Sequence, residues 1–186
     1  MQRVVPERSV PSPVHVAFEQ WQRFLQLAYG RFDDRTQVYL VHTYLSAFAK
    51  LLAYAVLRPA AHPSDDELLG ILNGQAFDAL NVQHFVEGDF FHWVCEPTVF
   101  AKLAPALREL FNQIREYDFT DVEEDILKGV YQELIDIDTR HSLGEYYTPD
   151  WLCERVVAEL HLERHFQVLD PACGSGSFLR AVIARF

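Results

Sequence analysis

The chain has 186 residues, 49% of them hydrophobic and 23% charged, which is enough apolar material for one or two packed domains and excludes a disordered tail. Its 16 Lys and Arg stand against 27 Asp and Glu, a net charge of -11 with a pI near 5.1; this excludes a chain-wide basic excess of the kind that binds phosphate backbones, and confines any nucleic-acid role to a local patch or another segment. The cysteines Cys95, Cys153 and Cys173 show no CxxC spacing, which argues against a disulfide framework or a zinc cluster and for a reducing, cytoplasmic setting.

The opening MQRVVPERSVPSP carries charges but no apolar stretch and does not read as a secretory signal. From Val14 to Ala28 the apolar residues Val14, Ala17, Phe18, Trp21, Phe24, Leu25 and Ala28 recur at helical spacing behind Pro11 and Pro13. A second helix is predicted from about Arg35, behind Asp33 and Asp34, to Leu57, where Arg58-Pro59 stops it. Tyr39 to Leu57 is the nearest approach to a membrane span. It contains Lys50, and a lysine near a helix centre costs roughly 3 kcal/mol of insertion energy, so a buried helix with no membrane is expected.

Ser64-Asp65-Asp66-Glu67 is a capping box opening a short helix that Asn73-Gly74 closes. Gln75 to Cys95 reads as irregular with short helices, turning at Gly88-Asp89. Pro97 and Pro105 punctuate the next piece, ahead of a helix expected from about Ala106 to Tyr117. Thr120 to Glu123 reads as another capping box, followed by one helix that places Val122, Ile126, Leu127, Val130, Leu134 and Ile137 on a single face.

The character then changes. Thr148-Pro149 looks like an N-cap with proline at the first helical position, and Leu152, Val156, Val157 and Leu160 make the helix behind it amphipathic. Gln167 to Asp170 reads as a short apolar strand, Pro171 to Ser177 as a glycine loop, and Phe178 as the start of a final helix. Helix, strand, loop and helix are the opening steps of a doubly wound α/β domain. The expected organisation is therefore a mainly α domain over residues 1–140, followed over 141–186 by the first elements of an α/β Rossmann-like domain that continues beyond Phe186.

Chemistry concentrates in Asp170-Pro171-Ala172-Cys173-Gly174-Ser175-Gly176-Ser177-Phe178-Leu179. Glycines after a first strand let backbone approach a ligand, and the next helix points free amides at it. A dinucleotide fingerprint needs glycine where Leu179 stands, and a Walker A loop needs a GK pair that is absent. Phosphate is not the expected ligand.

DPACGSGSFL resembles the S-adenosylmethionine-binding motif I of amino-methylating DNA methyltransferases, and Gly144-Glu145-Tyr146-Tyr147-Thr148-Pro149 resembles their motif X. Order and distance are similar to the adenine-N6 enzymes of restriction-modification systems, as is the run from Asp125 to Leu143. The likeness is specific from about Thr120 to Leu179 and loose ahead of that. It implies that Asp170 pairs with the cofactor's α-ammonium, that Ala172, Gly174 and Gly176 supply close backbone contacts, and that Tyr146, Tyr147 and Thr148 close over the methionine end, with Thr148 holding its carboxylate. For the tyrosines the alternative is aromatic packing at a domain junction; for Thr148 it is a plain helix cap, and both can hold at once.

The family's (N/D)PP(Y/F) tetrapeptide, which holds and stacks on the flipped adenine, does not occur here. The catalytic residues are accordingly expected beyond Phe186, and none is assigned within the chain. The acidic residue that would hold the cofactor's ribose at the end of a second strand, and any target-recognition region, are likewise missing from it. His161 and His165 stand in HxExH order at a helix end and read as solvated. Lys50, Lys102 and Lys128 have Phe48, Phe100 and Ile126 two residues before them, so no (D/E)xK nuclease signature is present. Asp121, Glu123, Glu124 and Asp125 read as carboxylates favoured by a helix N-terminus rather than as a metal site.

The resulting expectation is part of an adenine-N6 DNA methyltransferase of a restriction-modification or phage-defence system. Its cofactor would be S-adenosylmethionine, with no metal. DNA would be reached through other parts of the protein, and restriction or specificity subunits or domains would be its partners. A methyltransferase acting on RNA or protein is the alternative among enzymes. The non-enzymatic alternative is that residues 1–140 form an interaction module whose acidic balance suits a protein partner.

Overall fold

The computed structural model describes residues 12–29, 35–82, 90–120, 122, 125–142, 146–163 and 165–186. Of the residues named above, Pro11, Asp33, Asp34, Gly88, Asp89, Asp121, Glu123, Glu124, Leu143, Gly144 and Glu145 lie outside them. Contacts divide the chain into two units, Met1–Asp121 and Val122–Phe186. That boundary is drawn by packing, whereas the division at 140 followed the change of motif.

The first unit is helical. Helices α1 (Pro13–Tyr29) and α2 (Arg35–Leu57) fall where apolar spacing placed them. By length and hydropathy alone α2 would also suit a membrane span. In the fold it packs against α1, α3 (Asp65–Leu72) and α5 (Pro97–Ile114), and it buries Val38, Tyr39, Ala47, Leu51, Leu52 and Ala55. Ser64 caps α3 as expected: its Oγ accepts from the Glu67 amide at 3.3 Å while Glu67 Oε2 accepts from the Ser64 amide at 2.7 Å. A short helix α4 (Gln75–Asp78) and a 3-10 turn at His92–Cys95 complete the unit.

An aromatic cluster joins α1 to α2 and to the 3-10 turn. Trp21 lies 5.0 Å from the Tyr39 ring and Phe91 5.7 Å from it, while the Tyr39 hydroxyl donates to the Phe90 carbonyl at 2.8 Å. A second one sets Tyr54 of α2 against Phe77 and Phe111.

Helix α5 departs from the sequence reading. It starts at Pro97 and runs through Pro105 to Ile114, rather than starting after Pro105. Pro97 sits in the first turn, where a missing amide costs nothing. Pro105 and Ala101, whose carbonyl loses its helical donor, both lie on the exposed face, while Phe100, Ala104, Phe111 and Ile114 are buried. The burial of that apolar face outweighs the lost bond.

In the second unit the single helix expected from residue 122 to 137 is two, α6 (Ile126–Leu134) and α7 (Ile137–Ser142), parted at Ile135, which is extended and buried. The cap is Asp125, whose side chain accepts from the Lys128 amide at 2.9 Å. Thr120 instead turns back and donates to Asp118 from both its amide and its hydroxyl. Helices α8 (Asp150–Glu159) and α9 (Ser177–Arg185) pack together through Cys153, Val157 and Ala181, with Leu162, Phe178 and Val182 against them.

The expected strand at Gln167–Asp170 is not formed; the described residues contain no strand. A strand exists through its ladder to a neighbour, and none of these residues supplies one. Val168 and Leu169 are 43% and 85% exposed, although such residues in a parallel sheet are covered on both faces. What the structure shows is mainly helical.

Candidate functional site

The glycine loop is built from its first residue onward. Asp170 is half-buried and its Oδ1 accepts from the Ala172 amide at 3.1 Å, an Asx turn that fixes the carboxylate at the entrance to the loop. The Gly176 amide donates to the Cys173 carbonyl at 2.8 Å, closing the turn. Gly174 and Gly176 have φ of 54° and 87°, the left-handed region that side chains resist. A Cβ placed on either would meet nothing within 4 Å. The glycines are therefore demanded by backbone geometry, and the space beside them is open.

Gly176 is also the N-cap of α9, with no side-chain cap. The first amides of that helix have no partner inside it, and they lie at the positive end of its dipole. Ser177 is buried at the helix start. The exposed Cys173 thiol reaches the Gly174 carbonyl at 3.7 Å.

Tyr146, Tyr147 and Thr148 lead into α8. The Tyr146 ring is 72% exposed and stacks on His141 at 4.8 Å. Tyr147 meets Tyr131 of α6 edge-on at 6.1 Å, and Lys128 Nζ sits 5.7 Å from its ring centre. Thr148 is not the cap of α8. Pro149 takes that position and makes no side-chain cap bond, a shift of one residue from the sequence reading. The Thr148 carbonyl instead accepts from Lys128 Nζ at 3.3 Å.

Asp150, at the start of α8, joins α6 to α9. Asp150 Oδ1 accepts from Lys128 Nζ at 3.3 Å, and Oδ2 from the Arg180 guanidinium at 2.6 Å. Arg180, one turn into α9, donates its amide hydrogen to the Gly176 carbonyl. The Arg180 hydrogen bond first, then Lys128, holds the Asp150 carboxyl below its ordinary value. Lys128 and Asp150 stand 22 residues apart in sequence, a separation that carries no signal until the fold brings them together. Burial pushes the Cys153 thiol behind this cluster upward, so it is a packing residue rather than a nucleophile.

His161 and Glu163 stand past the end of α8 and are exposed. Among the described residues no group of three or more His, Cys, Asp or Glu gathers as a metal site would require.

Residues 122–185 match the family model described as N-6 DNA Methylase. The type I restriction enzyme EcoEI methylase subunit of Escherichia coli is 32% identical over 82 residues, which is 43% of this chain and 17% of that protein. The type I restriction enzyme MjaVII methylase subunit of Methanocaldococcus jannaschii is 36% identical over 75 residues, 39% of this chain and 13% of that protein. The chain thus spans 17% and 13% of the length of these curated relatives. No solved structure matches. Over residues 122–185, about a third of its length, the chain is thus similar to N-6 DNA methylases, and the curated relatives it resembles are methylase subunits of type I restriction enzymes.

Proposed function

We propose that the chain forms part of a DNA methyltransferase that moves a methyl group from S-adenosylmethionine to adenine N6, within a restriction-modification or phage-defence system. The observation that carries this reading is the loop after Asp170, with Gly174 and Gly176 both at positive φ, open space beside them and an uncapped helix directly behind. When bound, the cofactor supplies an electrophilic methyl group. A loop of this kind suits an amino-acid and ribose moiety better than a phosphate chain, because it offers close backbone and one carboxylate but no lysine or arginine within residues 170–177.

In this reading Asp170 holds the α-ammonium, Ala172, Gly174 and Gly176 lie along the methionine and ribose, and Tyr146, Tyr147 and Thr148 close the methionine end. Residues 141–186 then open an α/β domain whose further strands would cover Val168 and Leu169. Base-holding residues lie outside this chain, as does direct DNA contact. Restriction or specificity subunits are the proposed partners, and the acidic balance supports a second role for residues 1–140 as a module that contacts protein.

Asp170→Ala, in the protein encoded by the complete reading frame containing this chain, should weaken S-adenosylmethionine binding by about 1.5 to 3 kcal/mol, on the order of ten- to a hundredfold. Titration calorimetry measures it. Unchanged affinity in a folded variant would remove Asp170 from the site.

A further inference from the structure

Tyr147 and Thr148 are half-buried, and Tyr147 packs edge-on against Tyr131. Three charges add to that packing. Lys128, itself mostly buried, spans two jobs: its ammonium donates to the Thr148 carbonyl and to Asp150, and it sits beside the Tyr147 ring. Asp150, the first residue of α8, uses its other oxygen on Arg180 of α9. Arg180 follows Gly176 by one helical turn, and its amide bonds the Gly176 carbonyl. One carboxylate therefore joins α6, the approach to α8 and the helix that grows out of the glycine loop.

We infer that Asp150, gripped by Lys128 and Arg180, is a positioning latch that fixes the Tyr147–Thr148 segment relative to the glycine loop and so sets the affinity for S-adenosylmethionine. The inference rests on the proposed function for the ligand, but the latch itself rests on the ion contacts alone. Part of the charge is exposed, Asp150 by 39% and Arg180 by 37% of their side chains, and exposed pairs stabilise folds little. A latch of this type governs where a segment sits more than whether the unit folds, since α8 and α9 are held by their own apolar core. A cation with several donors can serve both acceptors, which lie only two residues apart in the chain.

The test compares Lys128→Met, Asp150→Asn and Lys128→Arg in the protein from the complete reading frame. Two readouts are needed: calorimetric affinity for S-adenosylmethionine, and hydrogen exchange of the Leu152 and Cys153 amides, which bond the Pro149 carbonyl in the first turn of α8. The expected result is a fivefold or greater loss of affinity in Lys128→Met and Asp150→Asn, recovery to within twofold in Lys128→Arg, and an unfolding midpoint that moves by less than the affinity change would imply. Faster exchange at Leu152 and Cys153, with α3 and α5 unaffected, should accompany it. Parent-like affinity in both charge-removing variants would overturn the latch. If the unsubstituted protein binds no S-adenosylmethionine, the proposed function fails instead, and unchanged exchange at Leu152 and Cys153 in that protein's Asp150→Asn variant overturns the latch on its own.

Discussion

At the scale of single residues, environment decides which charges matter. His42 lies half-buried among aromatic rings, 5.8 Å from Trp21 and 6.2 Å from Phe91, and desolvation lowers its pKa from 6.5 to about 4. The folded chain holds the neutral ring while the unfolded chain protonates near 6.5, so stability is complete above that value and is lost as pH falls toward 4. The loss should reach about 2 kcal/mol at pH 5. Urea unfolding at pH 7 and pH 5 would show it, and His42→Phe should flatten the difference; an equal drop in that variant would assign the effect elsewhere. Asp150 has the opposite partners and a carboxyl held low, so its contacts persist above 3.8 and are lost as pH falls below it. The sequence made Asp170 and the glycines visible because their type is tied to one chemistry. Lys128 and Arg180 were hidden because a cation on a helix surface is ordinary, and only the fold reveals that both converge on Asp150.

At the scale of elements, what local chemistry fixes was legible and what neighbours fix was not. The capping box at Ser64 and Glu67 closes on itself, and α2 ends at Leu57 because Arg58 precedes a proline. The start of α5 is not legible in the sequence, where Pro105 reads as a barrier, because one exposed proline loses to a buried face of Phe100, Ala104, Phe111 and Ile114. Residues 167–170 were read as a strand from their apolar run, but an apolar run fixes only a tendency, and a ladder needs a partner. The loop behind that run shows the same contrast. Gly176 was legible as glycine with a purpose, and the φ of 87° gives the reason. Gly176→Ala should cost about 1 to 2 kcal/mol of stability in residues 122–186, from backbone strain alone, because the added methyl meets open space. Chemical denaturation followed by Trp151 fluorescence measures it. A neutral substitution would mean the loop relaxes out of the left-handed region without cost.

At the scale of the whole molecule, charge sets what the chain can approach. In sequence from residue 116 to 145, the carboxylates Glu116, Asp118, Asp121, Glu123, Glu124, Asp125, Glu133, Asp136, Asp138 and Glu145 are accompanied by only two Lys or Arg, Lys128 and Arg140, and Lys128 is committed to Asp150. Affinity for duplex DNA without sequence preference grows with the number of phosphates neutralised, each adding about one unit to the slope of log affinity against log salt. A chain of net charge -11 has few cations to offer. This balance agrees with the proposed function, in which the methylase-like segment serves the cofactor and DNA is met elsewhere. The 186-residue chain alone should accordingly bind duplex DNA poorly at physiological salt, weaker than about 10 micromolar, with a shallow salt slope. Fluorescence anisotropy with a labelled duplex across 50 to 200 mM salt, a window chosen on the order of the range where phosphate contacts show, reads both quantities. A sub-micromolar dissociation constant with a steep slope would reveal a basic face assembled by the fold from Arg and Lys distant in sequence, and would move direct DNA contact into this chain.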